Sequence, residues 1–281
     1  MQVYKQTNKY TLYLGDVLEC LKSIETGSID MIFTSPPYNI DLKNRKDTNI
    51  AHYESWDDNL SYEEYVEWQL QILEECYRVL KDNGTLFYNH KDKFKNEEYR
   101  NPIQILFKTK FKIKQNIIWN RGSALSYNAG MFGDVYENIY YCFKGESPKT
   151  KTHHNVLGTI WTINKEVNND HPAPFPLELP LRAIYSIFDM EENKTILDIF
   201  NGSGTTGVAS LLLNHKYVGI DISKKYLDQS IKRLDSYMFE SARGQNEIDK
   251  HHVNCPYKPK VVTNQTTIFD FDFDDLVEGE I

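Results

Sequence analysis

Cysteine is scarce: Cys20, Cys76, Cys142 and Cys255 are the only four in 281 residues, and no two are close enough to form a C-x-x-C pair or a zinc-ligand spacing. Each lies in or beside an apolar run, which suits buried thiols rather than a disulfide framework. Long hydrophobic runs are also missing. No eighteen consecutive apolar residues occur, so no membrane-spanning helix is expected. Residues 1–10 are polar and lack the apolar centre of a signal peptide, and the expected location is cytoplasmic. Positive charge is in deficit, with 32 Lys and Arg against 40 Asp and Glu and a net charge of −8. A protein that coats nucleic acid indiscriminately is excluded, since phosphate contact needs a basic surface. His153-His154 and His251-His252 are adjacent pairs whose side chains diverge, so no metal site is expected. There is no internal repeat.

What is present is enough for one substantial core and a small appendage: 40% of residues are hydrophobic and 13% aromatic. Charge is distributed unevenly. Lys91, Lys93, Lys95, Lys108, Lys110, Lys112, Lys114, Arg121, Lys144, Lys149 and Lys151 crowd the middle, while six acids crowd 270–280. The middle can face a polyanion although the sum is acidic; the competing reading is a solvated lysine-rich face. Short apolar runs alternate with amphipathic ones, the pattern of an α/β protein with a mostly parallel sheet. Strands are predicted at 11–14, 29–34, 85–89, 111–119, 138–143, 195–200 and 217–221. Helices are predicted from a Ser61/Glu64 capping box to about 80, at about 177–188, and at about 224–238. Asp82-Asn83-Gly84 should turn the chain into the strand at 85–89. Residues 41–60 and 145–170 break the alternation and read as loops or a small subdomain, of the kind that meets ligands at strand ends. Beyond 244 the composition suggests a flexible acidic tail with one docked edge.

Two motifs carry chemistry. The apolar run 195–200 flows into Asn201-Gly202-Ser203-Gly204-Thr205-Thr206-Gly207 and then a helical run, which is the order a nucleotide site needs. Glycine lets the backbone approach a ligand, and the helix start offers free amides. Asp221 ends the next strand, where its carboxylate can accept both hydroxyls of a ribose. Alone, this loop suits NAD as well as S-adenosylmethionine, or is a purely structural turn. The second motif, Ser35-Pro36-Pro37-Tyr38, follows the strand 29–34. Two prolines stiffen the turn and remove two amide donors, leaving the Ser35 and Pro36 carbonyls free to accept. With Ser35 Oγ, the Pro36 carbonyl can hold the two hydrogens of an amino group, and Tyr38 offers a ring for stacking on a base that has left the duplex.

Ser35–Tyr38 resembles the catalytic tetrapeptide of the amino-group DNA methyltransferases, and residues 198–206 resemble their cofactor loop. Residues 171–176 are similar to the segment that precedes that loop and closes over the methionine part of the cofactor. The catalytic motif comes first in the chain, as in the circularly permuted β class, and Gly15-Asp16, Trp119 and the strand 137–144 also match. The likeness spans about 11–238. It implies a Rossmann-like methyltransferase sheet with helices on both faces and a small target-recognition insertion. It further implies S-adenosyl-L-methionine held by Asp16, Phe175, Asp198, Phe200, Asn201, Gly202, Ser203, Gly204, Thr205, Thr206 and Asp221. The methyltransferase domain is expected at 1–244, with target recognition at about 145–170 helped by 41–60 and the tail at 245–281. Lys144, Lys149 and Lys151 are the expected contacts to double-stranded DNA.

Many members begin the tetrapeptide with Asp, whereas this chain has Ser35, a poorer proton acceptor. Direct transfer to the amino nitrogen is expected, with the proton lost afterwards to solvent and no cysteine nucleophile. The product favoured is N4-methylcytosine, since serine is commoner in cytosine-N4 members; N6-methyladenine is the alternative. More remote readings are an NAD-dependent oxidoreductase or a DNA-binding module without activity, and an RNA or protein methyltransferase is a nearer alternative. A cognate restriction endonuclease is implied as a genetic partner, and a homodimer stays open.

Overall fold

Along β3 (Ile29–Thr34), Met31 and Phe33 face one apolar cluster while Ile32 faces another, and all three are fully buried. Burial on both faces is what a central parallel strand requires, because helices must cover both sides of the sheet. The computed structural model of the chain describes residues 2–39, 59–122, 132–150, 158–164, 175–188 and 192–239. β3 is the middle of a nine-stranded sheet formed with β1 (Gln2–Gln6), β2 (Tyr10–Leu14), β4 (Leu80–His90), β7 (Lys112–Asn120), β8 (Tyr136–Phe143), β9 (Ile160–Thr162), β10 (Thr195–Asp198) and β11 (Lys216–Asp221). Its order is β1-β2-β11-β10-β3-β4-β8-β7-β9, and only β1 and β8 run against the others. The sheet is mostly parallel with helices on both faces, the Rossmann-like arrangement expected from the sequence. β5 (Lys93–Lys95) and β6 (Glu98–Arg100) make a separate hairpin after β4.

Helices α4 (Glu178–Tyr185), α5 (Thr205–Leu212) and α6 (Lys224–Phe239) cover the face of Met31 and Phe33. Helices α1 (Val17–Leu21), α2 (Tyr62–Val79) and α3 (Ile103–Leu106) cover the face of Ile32 and Leu86. From β3 the chain crosses through α2 to β4 on one side; from β10 it crosses through α5 to β11 on the other. β3 and β10 are neighbours, so the strand order reverses between them and a crevice opens at their carboxyl ends. The motif after β3 and the motif after β10 therefore meet at one place, although they are far apart in the chain.

Most predicted elements are present within a residue or two, including the full Ser61/Glu64 capping box at the start of α2. The turn at 82–84 exists as an excursion inside β4: Leu80 pairs with Ile29 and Thr85 with Met31, so 81–84 loop out. Asn83 there has φ 67°, and the excursion is tied to the end of β8 through Asn83 N–H to the Lys144 carbonyl and Lys144 N–H to that of Gly84. Residues 160–162 correct an expectation. They do not stay in a loop but join the main sheet as β9, parallel to β7, with Trp161 buried under the Arg182 guanidinium. Three residues are too short a run to show alternation. The β5–β6 hairpin also went unpredicted, because its turn places Asn96 and Glu97 at positive φ and a glutamate there is no turn signal. Cys20, Cys76 and Cys142 are buried free thiols, as expected, while Cys255 and the tail beyond 244 lie outside the described residues. Among the described residues no helix is long and apolar enough to cross a membrane.

Gly207 shows how tightly α5 is set on β11. A Cβ there would lie 2.6 Å from the buried Tyr217 ring and 2.8 Å from Leu234 Cδ2. Alanine in a helix interior gains up to about 1 kcal/mol over glycine, but overpacking of a filled core costs about 1–3 kcal/mol. The clash should win: Gly207→Ala is expected to lower stability in urea unfolding. An equal or higher midpoint would mean that Tyr217 can give way.

Candidate active site at the switch point

The glycine loop is held from below by its own side chains. Gly202 (φ 49°) and Gly204 (φ 82°) take left-handed conformations, and a Cβ on Gly204 would meet Ser230 Oγ at 2.2 Å. Asn201 is buried; its Nδ2 donates to the Gly202 carbonyl, and its Oδ1 accepts from Tyr217 Oη and Ser230 Oγ. Arg233 donates to the Ser203 carbonyl, Ser203 Oγ and Thr205 Oγ1. Four of the residues expected at the cofactor, Asn201, Ser203, Thr205 and Thr206, thus have side chains committed to holding the loop.

Asp198 joins this loop to the other motif. Its Oδ1 accepts from Thr34 Oγ1 at 2.9 Å and Phe200 N at 3.0 Å, and its Oδ2 accepts from Thr206 Oγ1 at 2.8 Å. Thr34 is the residue before Ser35. Burial raises the Asp198 pKa to about 6 against these stabilising bonds. At the end of β11, Asp221 accepts from Gly202 N at 2.7 Å with Oδ2 and from Ser223 N at 2.8 Å with Oδ1. Burial raises its pKa to about 6 as well. Gly15 N bonds the Asp221 carbonyl, which sets Asp16 beside this strand end, where its Oδ1 caps α1 through Leu18 N and Glu19 N. Phe200 packs against Trp68 and Phe175 against Phe33, both half-buried at the crevice. Residues 171–174 lie outside the described residues.

Across the crevice, Ser35 Oγ is 2.8 Å from Tyr38 Oη, which donates to Glu137 Oε2 at 2.9 Å. Asn89 Nδ2 reaches Ser35 Oγ, Tyr38 Oη and Glu137 Oε2 at 3.3, 2.9 and 2.9 Å. Arg121 Nη1 pairs with Glu137 Oε1 at 3.0 Å, and Arg121 itself is buried. One face of the Tyr38 ring is covered by His90, 4.7 Å away and nearly parallel, which leaves at most the other for a base. His90 Nδ1 lies 2.8 Å from Lys91 N and 3.0 Å from the Lys91 carbonyl, and Nε2 lies 2.7 Å from Tyr65 Oη, whose hydroxyl donates to the Pro37 carbonyl. Burial lowers the His90 pKa to about 4, keeping this prop neutral at pH 7. The Pro37 carbonyl is thereby occupied. No donor among the described residues reaches the Pro36 carbonyl.

Glu137, Asn89, Arg121, His90 and Tyr65 were not singled out by sequence reasoning. Their signal was faint: a carboxylate opening an apolar strand, and a polar Asn-His pair closing another. Lys144 departs from expectation. β8 runs antiparallel to β4, so Asn138 lies opposite His90 while Phe143 lies opposite Thr85. Lys144 consequently sits at the far end of the sheet from Ser35, donating to the Leu80 carbonyl and standing over the Tyr77 ring. Lys149 is exposed along the same edge, and Lys151 lies outside the described residues. Among the described residues no cluster of His, Cys, Asp and Glu could hold a metal.

A family model described as DNA methylase, of the N6/N4 type, matches residues 29–232. The chain belongs to this DNA methylase family. The DNA adenine methyltransferase YhdJ of Escherichia coli (strain K12) is 27% identical over 273 residues, 85% of this chain and 87% of that protein. The type II methyltransferase M.HpaI of Haemophilus parainfluenzae is 29% identical over 268 residues, 87% of this chain and 79% of that protein. The solved PvuII DNA methyltransferase (cytosine-N4-specific) shares the fold with a TM-score of 0.68 at 20% identity, covering 87% of this chain and 97% of that one. M1.HpyAVI, solved as a complex with S-adenosylmethionine, has a TM-score of 0.55 at 22% identity, covering 80% and 100%. Membership makes the DNA methylase an enzyme that modifies an amino group of adenine or cytosine, and sets aside the NAD-dependent oxidoreductase.

The methyl donor of the family, S-adenosylmethionine, fits what the crevice offers. Asp221 is a half-buried carboxylate that accepts from Gly202 N with Oδ2 and from Ser223 N with Oδ1, and each oxygen keeps a lone pair for a ribose hydroxyl. Two further donors would stabilise its anion, so binding should release a proton and tighten as pH rises through about 6. The check is cofactor affinity by calorimetry between pH 5 and 8 for the wild type and Asp221→Asn. The variant should lose that dependence; identical profiles would remove Asp221 from the site.

Proposed function

We propose that this DNA methylase moves a methyl group from S-adenosylmethionine to N4 of a cytosine flipped out of duplex DNA. The observation that carries the base is Ser35: a hydroxyl, not a carboxylate, heads the tetrapeptide and is held beside Tyr38 by Asn89. N6 of adenine is the second reading, favoured by the likeness to YhdJ, which is named an adenine methyltransferase. When bound, S-adenosylmethionine supplies a sulfonium methyl that an amine can attack directly. In this reading Asp221 holds the ribose, Gly202 and Gly204 bring the loop backbone close, and Phe175 and Phe200 exclude water. Ser35 Oγ and the Pro36 carbonyl accept the two amino hydrogens and turn the nitrogen lone pair toward the methyl. Tyr38, propped by His90, offers its ring to the flipped base. Positioning of this kind can supply roughly 7–11 kcal/mol of the barrier reduction.

The reading extends to a methyltransferase domain over 1–244, with 145–170 and 41–60 meeting the DNA and Lys151 on phosphate. Lys144 and Lys149 are left out of that set by their place at the far end of β8 from Ser35. Relatives named as type II methyltransferases support a cognate restriction endonuclease as genetic partner, and with it a cytoplasmic location. Whether the working unit is a homodimer is a matter for its mass in solution.

Digesting methylated duplex to nucleosides and separating them by mass spectrometry tests the base. N4-methyldeoxycytidine is expected; N6-methyldeoxyadenosine as the sole product would overturn the cytosine assignment and leave the site intact. Asp221→Ala should weaken cofactor binding by about 1.5–3 kcal/mol, the value of a hydrogen bond to a charged group. DNA affinity should stay unchanged, and a variant with wild-type cofactor affinity would contradict the assignment.

A further inference from the structure

We propose that Glu137 is the terminal proton acceptor of a relay that begins at Ser35 and passes through Tyr38. The proposal rests on the amino-methyltransferase reading and names the group that serves where a carboxylate is missing from the tetrapeptide. Serine by itself is a feeble proton acceptor, yet Ser35 Oγ is one hydrogen bond from Tyr38 Oη, and Tyr38 Oη is one hydrogen bond from Glu137 Oε2. The hydrogens can be assigned. Tyr38 donates to the carboxylate, so the bond between Ser35 and Tyr38 must carry the serine hydrogen. Asn89 Nδ2 donates into the same group of oxygens, which leaves Ser35 Oγ one lone pair for an amino hydrogen. All the links point the same way, from the target amine to Glu137.

The placement of Arg121 favours a working carboxylate over a packing accident. Glu137 and Arg121 are both buried, and a buried ion pair repays its desolvation only with good geometry and further bonds. Here Arg121 takes Glu137 Oε1 with Nη1 and the Asp134 carbonyl with Nη2, and leaves Oε2 turned toward Tyr38. A pair meant only to hold β7 against β8 has no need to bond the hydroxyl of the tetrapeptide tyrosine.

The step balances as follows. The bond from nitrogen to the methyl carbon forms as the carbon–sulfur bond breaks, its electron pair staying on sulfur. The nitrogen becomes cationic with two hydrogens. One passes to Ser35 Oγ, the serine hydrogen passes to Tyr38 Oη, and the tyrosine hydrogen passes to Glu137 Oε2. The product is a neutral methylamino base, a neutral serine and tyrosine, and a protonated Glu137 that returns its proton to water between turnovers. Glu137 touches no reacting atom, so it is a positioning and relay residue, not a catalytic one.

The test is single-turnover methyl transfer from labelled S-adenosylmethionine to duplex DNA, with the full chain, Tyr38→Phe and Glu137→Gln. Tyr38→Phe keeps the ring and removes only the relay hydroxyl. The rate constant should fall in both variants on the order of 10²-fold, the usual size of proton-transfer assistance, with KM for DNA and cofactor affinity unchanged. A merely structural Glu137 would not slow transfer in Tyr38→Phe, which decides the matter even if Glu137→Gln fails to fold. Tyr38→Phe with the wild-type rate overturns the relay. A wild type that transfers no methyl group overturns the underlying function instead, and the two failures are told apart by that control.

Discussion

The Asp198 carboxylate is the point on which both halves of the site are hung. Thr34 delivers the chain to Ser35, and Phe200 with Thr206 defines the glycine loop; all three donate to the same buried group. The two motifs are separated by about 160 residues of chain, so no local propensity can hold them in register. A buried carboxylate can, because each donor lost leaves a charge poorly solvated in a place that water does not reach. Burial pushes its pKa up to about 6 although three hydrogen bonds favour the anion.

Sheet order makes the meeting possible. Strands β3 and β10 are adjacent and the crossovers leave them in opposite directions, so the loops that follow them flank a crevice at their carboxyl ends. Each side of the crevice has its own support. On the cofactor side, Asn201, Arg233, Ser230 and Tyr217 fasten the loop to α6 and β11. On the target side, Tyr65 and His90 fasten the Pro-Pro turn to α2 and β4. Helices α2 and α6 therefore each cover a face of the sheet and brace one half of the site, and Tyr217, packed against Gly207, bonds Asn201 of the loop.

Charge follows a similar division. The overall excess of acid says little about the crevice, where Arg121 and Glu137 are paired inside the protein and Lys91 is paired with Asp134. Lys144 shows the danger of reading a basic stretch as one surface. The strand that carries Glu137 into the site carries Lys144 out of it, at the opposite end of the sheet.

The amino-acid sequence by itself determined the class of fold, since alternation and capping residues are local: the Ser61 capping box and the β3 and β10 runs lie where they were read. It also determined the identity of the two motifs, because backbone requirements at Gly204 and at Pro36-Pro37 are met by few residue types. Tertiary structure alone decided which side chains work beside them. Glu137 of β8, Asn89 of β4 and Arg121 just after β7 have no mutual spacing in the chain, and they converge only through the antiparallel register of β4, β8 and β7. The same register took Lys144 away from the crevice, and pairing with β7 drew Trp161 out of an expected loop into the core. Long-range register depends on the whole sheet, which is why residues positioned by it stayed hidden and residues positioned by their neighbours did not.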